Sequence, residues 1–172
     1  MIVQKVLNNS LVLSMDDDSR EVIVMGKGIG FNSRPGDEIA PEKIEKLFVT
    51  QALGARSGYL EALSAIPDEV IEMAAMIISR ANMQLASKVR EQIFFTLADH
   101  LTFAIERSRK GIAIQNRLLP EVRRFYPQQF RVASEAVTII RQQYGIELPE
   151  EEAGNIAFHL VNGQSEGDDV AQ

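Results

Sequence analysis

The sequence contains no cysteine, and only two of its 172 residues are histidine. Without cysteine the chain cannot form a disulfide framework, a thiolate metal site or a thiol nucleophile. The histidines stand at positions 100 and 159, so they form no two-ligand metal motif within one helix. Neither is near a serine in the pattern of a hydrolase triad. We therefore expect no bound metal, no cofactor and no catalytic residue.

An excess of basic residues and long apolar runs are also missing. The formal net charge is −6, and residues 1–50 contain six Lys and Arg against eight Asp and Glu. This balance argues against a general nucleic-acid binder, so any such binding must depend on where Lys5, Lys27 and Arg34 lie. The first residues do not resemble a signal peptide, and no apolar run reaches transmembrane length. We expect a cytoplasmic protein without membrane insertion.

The first fifty residues have the pattern of a small sheet. Short runs of β-branched and apolar residues alternate with turn compositions, NNS at 8–10, DDDS at 16–19 and RPGD at 34–37. The predicted strands are residues 2–7, 11–15, 20–25 and 43–49, which form a four-stranded antiparallel β-sheet. A sheet of this size buries little apolar surface alone. We expect it to pair with a second copy as a homodimer.

The pattern becomes helical from about residue 62. Pro67, Asp68 and Glu69 are typical of a first helical turn, and apolar residues follow at three- and four-residue spacing. Further helices are predicted up to Gly111 and over 118–125, 132–144 and 149–161, an all-α five-helix bundle. The fold class is α+β with two domains. We assign residues 1–52 to the β domain, 53–64 to a linker, 65–163 to the helical domain, and 164–172 to a disordered tail or the start of an inter-domain linker.

The segment VMGKGIGFN at residues 24–32, named here the glycine loop, offers backbone, a cation and an aromatic ring without any nucleophile, acid or base. Nucleotide binding would require a helix directly after the glycines, and none is predicted before residue 60. A simple turn and an RNA contact remain. Proteins read RNA bulges and loops by stacking aromatic rings and by small polar groups at base edges. Phe31 and Asn32 suit that chemistry, as do the asparagines and serine of residues 8–10.

Each histidine lies in a predicted helix at the border of an apolar face. One interpretation is a hydrogen-bonded histidine in a helical interface. The other is a switch, because a phosphoryl group on the imidazole would place strong negative charge among packed helices. The basic residues near the middle of the helical part, including Arg123 and Arg124, form either a solvated face or a surface for an acidic partner.

With these residues in view, the chain resembles the BglG/LicT/SacY family of transcriptional antiterminators. KVLNNS at 5–10, VMGKGIGF at 24–31, GD at 36–37 and IEK at 44–46 are similar in order and spacing to the co-antiterminator RNA-binding domain. DH at 99–100 and EEAGNIAFH at 151–159 are similar to the first regulation domain of the phosphotransferase system (PTS).

The resemblance implies a dimeric β domain that binds a structured hairpin RNA in a nascent leader transcript. The hairpin excludes an overlapping terminator, so that sugar-utilisation genes are transcribed. Lys27 stands where many relatives have arginine, and Ser10 and Asn32 also differ from relatives, which affects the base contacts expected there. The implied RNA-binding residues are Lys5, Asn8, Asn9, Ser10, Gly26, Lys27, Gly28, Phe31 and Asn32.

The resemblance further implies that His100 and His159 are phosphorylated by PTS phosphotransfer proteins, a sugar permease or a phosphocarrier. Family members carry a second regulation domain, so we expect these residues to be part of a longer regulator. Two alternatives stay open. A DNA-binding regulator of sugar-utilisation genes would use the helical part with Arg123 and Arg124, and a nucleotide-binding enzyme would use the glycine loop.

Overall fold

The computed structural model of the chain describes residues 1–50 and 59–170, with side chains described for 1–50 and 60–164. Four strands, six α-helices and one short 3-10 helix (Pro41–Lys43) lie in this part of the chain, which confirms the α+β class. The chain divides into two compact units, Met1–Ile71 and Glu72–Gln172. None of the helices in the described part combines the length and the apolar character needed to cross a bilayer.

The four predicted strands are present and form one antiparallel sheet in sequence order. The strands are β1 (Lys5–Val6), β2 (Leu11–Met15), β3 (Glu21–Met25) and β4 (Lys46–Val49). β1 is shorter than predicted because the backbone before it bonds partly outside the sheet. The Val3 amide donates to the Asp37 carbonyl, and Ile2 forms an isolated bridge with Glu38.

Both faces of the sheet contain buried side chains, as the two-residue alternation of a strand requires. On one face Val12 is in register with Val24, and both pack into an apolar cluster with the buried side chains of Val3, Val22, Ile29 and Ile39. On the other face Leu13 pairs with Ile23, which pairs with Phe48, and all three are buried. The small sheet is therefore covered on both sides within the single chain.

The helices are α1 (Tyr59–Ser64), α2 (Asp68–Gln84), α3 (Ile93–Arg109), α4 (Leu119–Phe125), α5 (Pro127–Tyr144) and α6 (Glu150–Val170). The last five correspond to the predicted bundle. α2 begins directly after Pro67, and Gly145 ends α5 in the left-handed conformation with φ 68°. α1 lies in the segment predicted as a linker, whose residues 53–58 are outside the described part.

α6 is longer than the sequence pattern predicts. The expected end was near Val161, and the structure continues the helix to Val170. Gly163 lies within it for a packing reason, because a Cβ there would meet Val89 Cγ1 at 2.7 Å. A glycine that makes room for a neighbouring chain segment is compatible with a helix interior and does not mark a helix end.

Candidate functional site

The structure brings residues 8–10, named here the NNS turn, against the glycine loop. The Gly30 amide donates to the Asn9 carbonyl at 2.9 Å, and the Gly26 amide donates to the Ser10 carbonyl at 3.0 Å. A Cβ on Gly30 would overlap the Asn8 carbonyl oxygen, so the close approach requires glycine. Two segments that the sequence analysis assigned separately to RNA contact therefore form one surface.

The predicted RNA-binding residues differ in exposure. Lys5, Asn9, Lys27, Phe31 and Asn32 are exposed, and the Phe31 ring is 64% exposed even though phenylalanine is usually a core residue. The remaining four are half-buried or buried: Asn8, Ser10, Gly26 and Gly28. Exposed aromatic, cationic and amide side chains on these segments supply the chemistry that single-stranded RNA bases and phosphates require.

Backbone conformation explains how the glycine loop turns. Gly28 has φ 70° and Asn32 has φ 54°, both in the left-handed region. Asparagine tolerates this region better than most side chains. The Phe31 amide donates to the Gly28 carbonyl at 3.0 Å, which closes the turn directly before the exposed ring.

The side chains of the NNS turn already have partners in the same unit. Asn8 Nδ2 donates to the carbonyls of Leu63 and Ile66 at 3.1 and 3.3 Å. Asn9 Nδ2 donates to Asp68 Oδ2 at 3.2 Å, and Ser10 Oγ donates to Asp68 Oδ1 at 3.0 Å. These contacts of Asp68 were not predicted, because nothing local in the sequence connects residue 68 with residues 9 and 10.

The two histidines form a pair. His100 on α3 and His159 on α6 have ring centroids 5.0 Å apart, with an angle of 49° between the ring planes. Both side chains are partly buried. The sequence placed each histidine at the border of an apolar face, and the packing of α3 against α6 brings the two borders together.

Glu152 on α6 is the acidic centre of this cluster and is only 2% exposed. Its Oε2 accepts a hydrogen bond from Arg107 at 2.9 Å, and its Oε1 accepts one from Asn155 Nδ2 at 2.8 Å. The same Oε1 lies 3.7 Å from His100 Nε2, a buried atom without a hydrogen-bond partner among the described residues. Glu152 thus links a cation, an amide and an imidazole.

Both imidazoles are held in the neutral form. Burial, together with a smaller contribution from the nearby His100, lowers the pKa of His159 to about 4. Burial also lowers the pKa of His100, with Arg107 acting in the same direction and with Glu152 and Asp99 opposing it. A neutral imidazole has an available lone pair, which a nucleophile for a phosphoryl group needs.

The roles of Glu152 and Arg107 were not predicted from the sequence. A spacing signal was present, because Glu152 precedes Ile156 by four residues and His159 by seven, and Arg107 follows His100 by seven.

Within the described residues, no group of three or more His, Asp or Glu side chains could hold a metal ion. The Arg123 guanidinium pairs with Glu150 and lies 5.5 Å from the Phe130 ring centre.

Comparison with known proteins matches both units. The family described as CAT RNA binding domain matches residues 1–54, and the family described as PRD domain matches residues 75–163. The chain is 42% identical over 164 residues to the beta-glucoside operon antiterminator of Dickeya chrysanthemi. It is 37% identical over 164 residues to the transcription antiterminator LicT of Bacillus subtilis (strain 168).

Each of these two matches covers 95% of this chain but only 58% and 59% of the relatives, so the chain spans less than two thirds of their length. A crystal structure of GlcT CAT-PRDI is similar over 95% of this chain and 97% of that one. The TM-score is 0.81 and the sequence identity 29%.

Proposed function

The chain belongs to the BglG/LicT family of transcriptional antiterminators, and we propose that it binds a structured hairpin RNA in a nascent leader transcript. The bound hairpin excludes an overlapping terminator, so polymerase continues into genes for sugar utilisation. The observation that carries this proposal is the junction of the NNS turn with the glycine loop, beside which Phe31 is exposed.

The chemistry of that junction favours RNA over duplex DNA. The narrow major groove of A-form RNA excludes side chains, so bulged or looped bases are read by stacking and by hydrogen bonds to their edges. Phe31 supplies a stacking face, and Asn9 and Asn32 supply short amides that both donate and accept. Lys5 and Lys27 supply charge for phosphates without a general basic surface, which agrees with the net charge of −6.

The histidine pair supports control by phosphorylation. Neutral His100 and His159 are suitable acceptors for a phosphoryl group from PTS proteins, a sugar permease or a phosphocarrier. The product would carry up to two negative charges beside the buried Glu152 carboxylate. Repulsion between the phosphoryl group and the Glu152 carboxylate disfavours the observed arrangement. The two groups would also compete for Arg107, the cation that now pairs with Glu152.

We further propose that the protein acts as a cytoplasmic homodimer. In this hypothesis unmodified helical domains hold two β domains in register on the RNA, and phosphate at the histidines separates them. The dimerisation constants of His100→Asp and His159→Asp test this part by analytical ultracentrifugation. Dimerisation and RNA affinity that both stay at the wild-type values would reject it.

The central experiment titrates the full chain with a bulged hairpin RNA and with duplex DNA over a range of salt concentrations. Phe31→Ala removes the stacking ring, and we expect RNA affinity to fall by about tenfold to a hundredfold. Phe125→Ala is the matched control, because Phe125 is also 64% exposed but lies on α4. It should leave RNA affinity unchanged.

Two outcomes would count against the proposal. Normal RNA binding by Phe31→Ala would show that the ring does not stack on a base. Absence of RNA binding by the wild-type chain, together with duplex-DNA binding that is lost in Arg123→Ala and Arg124→Ala, would favour the alternative regulator.

A further inference from the structure

We propose that Asp68 is an intramolecular competitor of the RNA, whose carboxylate occupies the hydrogen-bond donors of the NNS turn. The inference rests on the proposed RNA binding and adds a residue that sets its affinity. It follows from the geometry around Asp68, the first residue of α2.

The Asp68 carboxylate accepts two hydrogen bonds from neighbouring residues of the turn. Oδ1 accepts from Ser10 Oγ at 3.0 Å, and Oδ2 accepts from the Asn9 amide at 3.2 Å. One oxygen therefore faces each donor, which is how two oxygens of a backbone phosphate would be bound. Hydrogen bonds to an ionised acceptor are stronger than those between neutral groups. RNA must displace this carboxylate to take over either of these two hydrogen bonds.

The hydrogen bonds of Asn8 hold the NNS turn in the same conformation as the bonds to Asp68 do. The Asn8 amide donates both hydrogens to the carbonyls of Leu63 and Ile66, and Asn8 Oδ1 accepts from the Ser10 amide. Ser10 itself is 7% exposed and its hydroxyl donates to Asp68, so the hydroxyl is not available to a ligand in this arrangement. All three polar side chains assigned to RNA on this turn are thus directed toward residues 63–68.

The negative charge of Asp68 adds to the effect of its hydrogen bonds with the NNS turn. A carboxylate beside Asn9 repels any phosphate that approaches the turn, and the repulsion is strongest at low ionic strength. Glycine-loop residues such as Phe31 and Lys27 remain exposed. The glycine-loop part of the proposed surface is therefore open, whereas on the turn Ser10 is buried and the exposed Asn9 donates its amide to Asp68.

The opposite role for Asp68 would be that of a support, which fixes the NNS turn in the shape that RNA requires. The two roles predict changes of opposite sign. Removal of a competitor strengthens RNA binding, whereas removal of a support weakens it. The sign of the change in RNA affinity therefore decides between them.

The test compares the Asp68→Asn and Asp68→Ala variants of the 172-residue chain with wild type in binding to a bulged hairpin RNA at several salt concentrations. We expect affinity to rise by roughly three- to thirtyfold, the range for loss of one or two typical hydrogen bonds. The gain should shrink as salt increases. Asp17→Asn is the charge-matched control, since Asp17 is exposed on the turn between β2 and β3, and its change should be much smaller.

Asp68→Asn is the primary variant because asparagine keeps the size of the side chain, and a thermal melt of each variant verifies folding. Unchanged or weaker RNA binding by folded Asp68→Asn, beside a wild-type chain that does bind, overturns the competitor role alone. An equal gain in Asp17→Asn also overturns it, because net charge would then explain the effect. Failure of wild type and every variant to bind the RNA rejects the proposed function itself.

Discussion

The imidazole rings of His100 and His159 lie 5.0 Å apart, although they belong to different helices. At this distance a charge on one ring affects the other, and His100 contributes to the lowered pKa of His159. The pair is therefore one electrostatic unit that includes Glu152 and Arg107, and modification of either ring changes the environment of both.

The helical unit should lose stability as the pH falls from about 6.5 toward 4. The folded-state pKa of His159 is about 4, below the ordinary 6.5, so in this window the unfolded chain binds a proton that the folded chain does not. The stability from a neutral His159 is present above pH 6.5 and is lost through this range. Melting temperatures at pH 7, 6 and 5 should fall less steeply in His159→Gln. Equal slopes in both proteins would contradict the assignment.

Glu152→Gln should destabilise the helical unit by about 2 kcal/mol. The substitution leaves the Arg107 guanidinium without its buried counter-charge, and the cost is below that of a fully buried pair because the Arg107 side chain is 30% exposed. Urea unfolding of the full chain measures the change. Glu106→Gln is the matched control on an exposed pair with Lys110, and its midpoint should not move.

Charge at position 100 and charge at position 152 should be coupled. His100→Asp places a second carboxylate near the Glu152 oxygen that now lies 3.7 Å from the imidazole, so the single variant should unfold more easily. In His100→Asp with Glu152→Gln, Arg107 regains one acidic neighbour. A double-mutant cycle by urea unfolding should give a favourable coupling of about 1 kcal/mol. Simple additivity of the two substitutions would argue against the shared electrostatic unit.

Gly30→Ala should cost more stability than Gly28→Ala. A methyl group on Gly30 meets the Asn8 carbonyl, which must move, so we expect a cost of about 2 kcal/mol. Gly28 has open space but φ 70°, and alanine there costs about 1 kcal/mol. Thermal and urea unfolding rank the two variants, with Gly28→Asn as a milder control because asparagine tolerates the left-handed region. The reverse order would show that backbone conformation outweighs packing in this loop.

Local signals in the sequence predicted most of the elements. β2 and β3 are β-branched runs bounded by Asn, Asp and Ser turns, and their positions agree with prediction within a residue. Pro67 and Gly145 marked the start of α2 and the end of α5, because one fixes φ for a first turn and the other accepts a left-handed one. α1 was missed, since six residues offer too little periodicity beside a glycine-containing segment.

The arrangement of the candidate sites needed the structure. Glu152 lies in a run of three acidic residues, which is typical of a solvent-exposed first helical turn. Only its position on the helix relative to His159 indicates that its side chain is buried. Asp68 reads as a favourable acid at a helix start, yet it binds Asn9 and Ser10 through contacts between residues distant in sequence. Such contacts are set by the packing of whole elements, which no local pattern encodes.

The contact between Gly30 and the Asn8 carbonyl also determines how a genetic screen of this protein should be interpreted. Substitutions at Gly30 will be recovered among variants that lose the proposed RNA binding, although Gly30 is not among the residues assigned to RNA contact and acts by leaving room for the Asn8 carbonyl. Their defect arises because the added side chain displaces the NNS turn. A second-site suppressor that shortens or relaxes the chain at residues 8–10 should restore such variants, and one that adds charge to the glycine loop should not.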